Sequence, residues 1–246
     1  MVYASPECAR MRLVMASQWP DSPAGRLLEK LETHYGTPKP SALTGPFEMI
    51  LWEIVAYLSD DNRRGMAFEQ LRKKVGLTPA QILAAPLKTL RAITREGGAI
   101  AADERAERLQ RAAQIASDKF SGDLTSVLKL PPQKSKKALM QFPMIGEPGA
   151  EKILLFSGVL GVLALESNGV RVLVRVGIGQ EGKSYAATYR SIREATLEQL
   201  PQDSRLLTTA HLLLRRHGQE LCSRNGPACG SCPVRLECRL GKHYGV

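Results

Sequence analysis

The sequence predicts an almost entirely α-helical protein. Apolar residues recur at threes and fours through most of its 246 residues, and helix-stopping residues punctuate those runs where caps belong. The periodic runs are RLLEKLETHYG (26–36), PFEMILWEIVAYLS (46–59), AFEQLRKKVG (67–76), AERLQRAAQIASDKF (106–120), AEKILLFSGVL (150–160) and RLLTTAHLLLRRHG (205–218). Thr44-Gly45-Pro46 opens the second and Gly76 follows the third. LTPAQILAAP (77–86) starts a short helix with Thr78 as N-cap and Pro79 at its first position, and Gly218 closes the last run. Only GVRVLVRVGIG (169–179) alternates as a strand does, over a length that also suits a short helix. LKLPPQKSKK (128–137) reads as a short basic turn between helices, and no repeat or low-complexity linker is visible.

With 43% apolar content the chain can bury a substantial core, as one large domain or two modest ones. The first twenty residues are interrupted by Glu7, Arg10 and Arg12, unlike a signal peptide, and no 18-residue apolar run follows. The expectation is a soluble, intracellular, non-membrane protein with reduced thiols. A formal charge of +10 and a pI near 9.6 suit a polyanionic partner, because lysines and arginines that meet phosphates release condensed counterions. The excess is spread as +1 over residues 1–43, +4 over 44–163 and +5 over 164–246, so it is no basic tail. A solvated basic surface is the plainer alternative.

Four of the five cysteines crowd into the last tenth of the chain, as Cys222-x6-Cys229-x2-Cys232-x5-Cys238, while Cys8 stands alone. Gly226, Pro227 and Gly230 let the backbone reverse between them, so four thiolates can converge on one centre. Disulfides fit poorly with a reducing compartment. Structural zinc usually takes two close cysteine pairs, and only one such pair exists here. A 4Fe-4S cluster, held by four thiolates on different irons, accepts the wider spacing.

The C-x6-C-x2-C-x5-C loop after His217-Gly218 resembles the C-terminal 4Fe-4S loop of the endonuclease III family, the helix-hairpin-helix DNA glycosylases that include the adenine glycosylases. The similarity runs upstream in the same order and at matching intervals, over about residues 44–240. GPFEMILWEIVAYLS resembles the family's SPFELLIAVLLS helix, and ERAERL its KAENI-like segment. FPMIGEPGA resembles its LPGVGRKTA hairpin, and LESNGVRV its VDTHIFRV or VDGNVKRV segment. The resemblance implies an all-α, two-domain fold. A helical domain over 44–163 ends in the hairpin, residues 1–43 and 164–246 together form an iron-sulfur domain, and double-stranded DNA lies along the cleft between them.

It also implies site residues. Cys222, Cys229, Cys232 and Cys238 would hold the 4Fe-4S cluster, and Arg224, Arg235 and Arg239 on the same loop would face phosphates or simply be solvated. In the hairpin, Pro143, Met144, Ile145, Gly146 and Gly149 would present backbone amides to a phosphate at a helix N-terminus, with Phe142 and Ile145 buried and 147–158 as the second helix. Three departures matter. Met144 replaces the first hairpin glycine, so the turn either avoids a positive φ or bears strain. Glu147-Pro148, with Glu151 a turn later, replaces a basic pair and should weaken phosphate binding. Leu58-Ser59-Asp60-Asp61 stands at the family's QATD stretch, where Leu58 is an apolar wedge or, more ordinarily, core.

Pro148 occupies the position of the family's lyase lysine and has no amine, so Schiff-base strand cleavage by that route is excluded. Lys152 is a substitute about 6 Å further along the helix. Glu166, fixed by Asn168, Arg171 and Val172, matches the family's catalytic aspartate, longer by one methylene; Glu166, Ser167 or Asn168 could equally cap the next helix. The leading reading is a monomeric DNA-binding base-excision protein, a glycosylase without lyase activity in which Glu166 assists an attacking water. A catalytically silent lesion- or structure-binding protein and a zinc-stabilised DNA-binding protein are the alternatives.

Overall fold

The computed structural model describes residues 17–39, 43 and 45–243. Cys8 and the helix-opening Thr44 lie outside them. The described residues form twelve α-helices and two short 3-10 turns, with no strand. The helices are α1 (Pro23–Tyr35), α2 (Pro46–Val55), α3 (Asp61–Lys74), α4 (Pro79–Ala84), α5 (Leu87–Glu96), α6 (Ala102–Phe120), α7 (Thr125–Leu128), α8 (Pro132–Leu139), α9 (Glu147–Phe156), α10 (Ser167–Val176), α11 (Tyr185–Gln199) and α12 (Ser204–Glu220).

The expected caps are present. Thr78 accepts from the Gln81 amide, and the Gln81 side chain returns the bond to the Thr78 amide, a reciprocal box ahead of Pro79. Gly76 takes φ +104° after α3. One open reading is settled and three expectations are corrected. Residues 169–179 are mostly helix α10, because Gly169, Val170, Val172 and Leu173 bury one face and Gly177 ends the helix at φ +86°. Of 128–137 only 129–131 are turn, since Pro132 starts α8 and buried Ser135 donates to the carbonyls of Val127 (2.8 Å) and Leu130 (3.0 Å). Gly218 does not end α12, which runs on to Glu220; a Cβ there would meet Asn168 Cβ at 2.6 Å, so glycine serves the close approach of α10 and α12. The second hairpin helix stops at Phe156, two residues short of the expected end.

Two hydrophobic clusters form. One gathers Phe47, Ile50, Ile54, Phe68, Leu71, Ile93 and Leu109 with Leu139, Phe142 and Ile153. The other gathers Trp19, Leu28 and Leu31 from the N-terminal side with Leu165, Leu173, Ile192, Leu213, Leu214 and Val234. They change over inside α9, between Leu154 and Leu155, so one helix roots both. Chain segments from both ends thus share the second core.

Arg105, 0% exposed, lies beneath the first cluster's edge. It donates to the carbonyls of Val55 (2.5 Å), Thr94 (2.8 Å), Ile100 (3.1 Å) and Gly98, gathering the C-terminal ends of α2 and α5 with the loop that follows α5. Replacing it by methionine keeps the bulk and orphans these carbonyls. Arg105→Met should destabilise the fold by about 3 kcal/mol or more, read as a lower midpoint in urea unfolding with an unchanged m value.

Candidate nucleic-acid interface and active-site cleft

A cleft of about 920 Å³ opens between α2, α3, α9 and α12, lined by Trp52, Phe156, Leu58, Glu53, Lys152, His211 and Arg215 among others. Glu53 on α2 and Lys152 on α9 form an ion pair, with Lys152 18% exposed. Burial alone would raise the Glu53 pKa, but Lys152 and Arg64 outweigh it and hold the carboxyl below its usual value. Arg215 on α12 grips Asp61 at the start of α3, Nε to Oδ2 at 3.2 Å, and lies 3.6 Å from Glu166. These pairs tie α12 to α3 and α9 to α2. Of these, Leu58, Lys152 and Glu166 were candidates in the sequence; Glu53, His211, Arg215 and Trp52 carry no motif and are found by the helix packing alone.

His211 lies at the cleft floor, 4% exposed, with Nδ1 2.7 Å from the Ala164 carbonyl and its ring edge-on to Phe156. Burial first, then the charge of Lys152, pushes its pKa down to about 3, so the ring is neutral at pH 7. Nδ1 is therefore the donor, and Nε2 keeps the lone pair.

Glu166 caps α10. Its Oε1 accepts from the Gly169 amide at 3.0 Å and its Oε2 from Asn168 Nδ2 at 2.8 Å. The carboxylate stays at the cleft edge facing Arg215. Leu58 is not core, as the plainer expectation had it. It stands 77% exposed at the cleft mouth with φ +48°. The reason is that α2 stops at Val55, so the helical period no longer turns residue 58 inward.

In the hairpin Phe142 and Ile145 are buried as expected, and Gly146 precedes α9 as its N-cap residue. Met144 takes φ +63°, so the turn bears the strain rather than avoiding it. Pro148 sits in the first turn and Gly149 against Ile145. The acidic departures are not bare charges. Lys136 Nζ meets Glu147 at 2.6 Å and Glu151 at 3.3 Å, and fully buried Glu151 also takes Tyr189 Oη at 2.5 Å and Arg193 at 3.3 Å. Repulsion of an incoming phosphate is thus smaller than the sequence suggested.

The four cysteines line one small pocket together with Val172, Val176, Val234 and Leu240, and Cys238 is buried. Arg175 Nη1 donates to Cys222 Sγ at 3.2 Å. No group of three or more His, Cys, Asp or Glu among the described residues is placed to share a single metal ion. The three loop arginines do not converge. Arg224 faces a groove beside α10 and α11, Arg235 lines the cysteine pocket, and Arg239 covers Gly177.

The depressed His211 sets a pH dependence. Its folded pKa lies below the unfolded value of about 6.5, so the unfolded chain binds the proton first and stability is lost as pH falls below that value toward 3. At pH 5 the loss should be about 2 kcal/mol relative to pH 7. His211→Gln should flatten that limb in urea titrations at both pH values.

No protein-family model matches the chain. Over 102 residues it is 28% identical to Endonuclease III of Rickettsia prowazekii, covering 42% of this chain and 45% of that protein. Over 150 residues it is 25% identical to a DNA glycosylase/AP lyase of Arabidopsis thaliana, covering 54% of this chain and 10% of that one. The matched stretch therefore spans less than half the length of these curated relatives. Among solved structures, an endonuclease III trapped in a covalent complex with DNA superposes with a TM-score of 0.72 at 20% identity, over 89% of this chain and 95% of that one. A thermostable thymine-DNA glycosylase gives 0.61 at 16% identity, over 90% and 97%. A 3-methyladenine DNA glycosylase of H. pylori gives 0.62 at 15%, over 80% and 97%. The chain has the endonuclease III fold.

Proposed function

We propose that the protein binds double-stranded DNA, extrudes a damaged or mispaired base into the cleft, and releases it by hydrolysis of the N-glycosidic bond, without Schiff-base lyase activity. The observation that carries this reading is the cleft itself, walled by Trp52 and Phe156, with Glu53 paired to Lys152 in its lining and Glu166 at its edge, 3.6 Å from the lining Arg215. Aromatic walls suit an extruded base. As the glycosidic bond lengthens, its electron pair leaves with the base and positive charge grows on the sugar. In this reading Glu166, held by its cap, stabilises that charge and takes the proton of the water whose oxygen adds to C1′. Leu58 at the cleft mouth fills the space the base leaves. Pro148 offers no amine to compete with water.

The cysteine pocket fits a 4Fe-4S cluster. Its thiols are four in number, lie around one apolar pocket, and include one sulfur already accepting from a guanidinium. Cys222, Cys229, Cys232 and Cys238 would hold the cluster, which supplies a rigid cross-link to the loop when bound. Free thiols at these four cysteines suit an intracellular compartment, and no described helix is long and apolar enough to cross a membrane. Zinc in place of iron would show as a colourless, zinc-containing protein after anaerobic purification.

A silent DNA-binding protein is the second reading, favoured by the full commitment of Glu166 to Gly169, Asn168 and Arg215. Duplexes bearing uracil, oxidised pyrimidines, alkylated purines and mismatches decide. Base release from at least one is expected, reduced about 100-fold in Glu166→Gln, which keeps an oxygen for the cap. Binding with no release from any duplex would establish the silent protein. Borohydride should trap no covalent adduct; a trapped one would point to Lys152. Leu58→Ala should weaken binding to a duplex with an abasic site by about 10-fold in fluorescence anisotropy while leaving intact duplex unaffected.

A further inference from the structure

His211 on α12 carries a group that the hydrolysis above leaves unused. Its Nδ1 lies 2.7 Å from the carbonyl of Ala164, a residue 0% exposed, so this is a buried hydrogen bond. A carbonyl only accepts, which makes Nδ1 the N–H and leaves Nε2 its lone pair. The Phe156 ring stands edge-on to the imidazole, with 5.2 Å between centroids and 88° between planes, and holds it against rotation. Nε2 has no hydrogen-bond partner among the described residues, yet it is not sealed from solvent. The lone pair therefore opens into the cleft that His211 lines. Charged groups face the ring from three helices: Lys152 on α9, Arg215 on its own α12 and Glu53 on α2. Burial, Lys152 and Arg215 outweigh the Ala164 carbonyl and Glu53, and the ring stays neutral at pH 7.

Beside this acceptor stands a donor. Lys152 lies one turn before Phe156 on α9 and lines the same cleft. Its ammonium carries three N–H groups, more than the one bond to Glu53 takes. Met49, Trp52 and Leu212 make the neighbouring lining apolar. The cleft floor thus sets one neutral acceptor and one cationic donor among groups that offer a base no other hydrogen bond.

We propose that His211 is a specificity-determining residue of the cleft: its Nε2 accepts a ring N–H from the extruded base while Lys152 donates to the adjoining carbonyl, which selects the lactam edge of a base over its amino counterpart. A lactam has one N–H beside one C=O, as in uracil or hypoxanthine, and the two side chains satisfy both. Cytosine and adenine bring an amino group with two N–H. One acceptor leaves the second N–H unmet at a residue only 4% exposed. A site built on hydrogen bonds rejects the wrong edge through such unpaired groups rather than through size. The assignment rests on the base-extrusion reading above and adds to it the chemical class of the base.

Fluorescence anisotropy with the full chain tests it on duplexes holding uracil, N3-methyluracil or cytosine opposite cytosine, a mismatch in each case, on 2′-fluoro sugars that resist base release. The wild type should bind the uracil duplex about 10-fold more tightly than either of the others. His211→Asn keeps a donor for the Ala164 carbonyl and places nothing at the Nε2 position. It should bind all three duplexes alike, with a urea midpoint near the wild-type value. His211→Gln returns an acceptor near that position and should restore the preference for uracil over N3-methyluracil. By NMR, the Nε2 resonance of His211 should be that of an unprotonated ring nitrogen and should move on adding the uracil duplex but not the N3-methyluracil duplex. Equal wild-type affinities for the three duplexes, a tighter hold on cytosine, or an asparagine variant that keeps the uracil preference would each overturn the proposal while leaving base excision intact. A wild-type protein that binds none of the duplexes would overturn the DNA-binding reading itself.

Discussion

Arg105 is the constraint on which the cleft depends. A fully buried guanidinium with no carboxylate among its hydrogen-bond partners is costly, and here it is satisfied by the carbonyls of Val55, Thr94, Gly98 and Ile100. Val55 ends α2 and Thr94 lies in the last turn of α5, where carbonyls lack intrahelical partners and the helix dipole is negative. One cation therefore closes two helix ends at once. Gly97 completes the arrangement, since a Cβ there would meet the Val55 carbonyl at 2.3 Å. The chain from Ala56 to Asp60 leaves this anchor in a fixed direction, which puts Leu58 at the cleft mouth and Asp61 within reach of Arg215.

From that fixed rim, three ion networks join neighbouring helices. Arg215 reaches from α12 to Asp61 on α3; Lys152 reaches from α9 to Glu53 on α2; Glu151 on α9 collects Lys136 from α8 and Tyr189 and Arg193 from α11. Burial and Glu151 push the Tyr189 pKa up, so its hydroxyl stays a donor to that carboxylate. Because partly buried pairs are screened less than surface ones, these contacts resist salt better than the exposed pairs of α1 or α6. The cleft is therefore held open by charges that also give it polar walls.

The sequence was most informative where chemistry is local. The Thr78 cap, the buried Phe142 and Ile145, and the four-cysteine loop all depend on residues near one another in the chain. Where it left a choice open or misled, the causes are physical. The run 169–179 alternates valine with arginine, yet both belong on a helix because Arg171 and Arg175 turn outward to carbonyls of the cysteine loop. Gly218 looked like a stop and is instead a contact with Asn168, fifty residues earlier in the chain. Glu53, His211 and Arg215 sit on three separate helices, and nothing in their local spacing marks them as neighbours.

The hairpin shows which part of the site is geometric and which electrostatic. A glycine at 144 would adopt the left-handed turn without penalty, whereas methionine at φ +63° costs on the order of 1–2 kcal/mol. The side chain recovers part of that by packing on the first core, against which Met144 is half-buried. The backbone turn thus takes its left-handed conformation without a glycine at 144. Its charge has not survived in the same form: Glu147 stands at the helix start, and Lys136 from α8 offsets it across the turn. The hairpin thus keeps its turn geometry with its acidic start offset, while Arg171, Arg175, Lys183 and Arg224 gather away from it, around one groove beside α10.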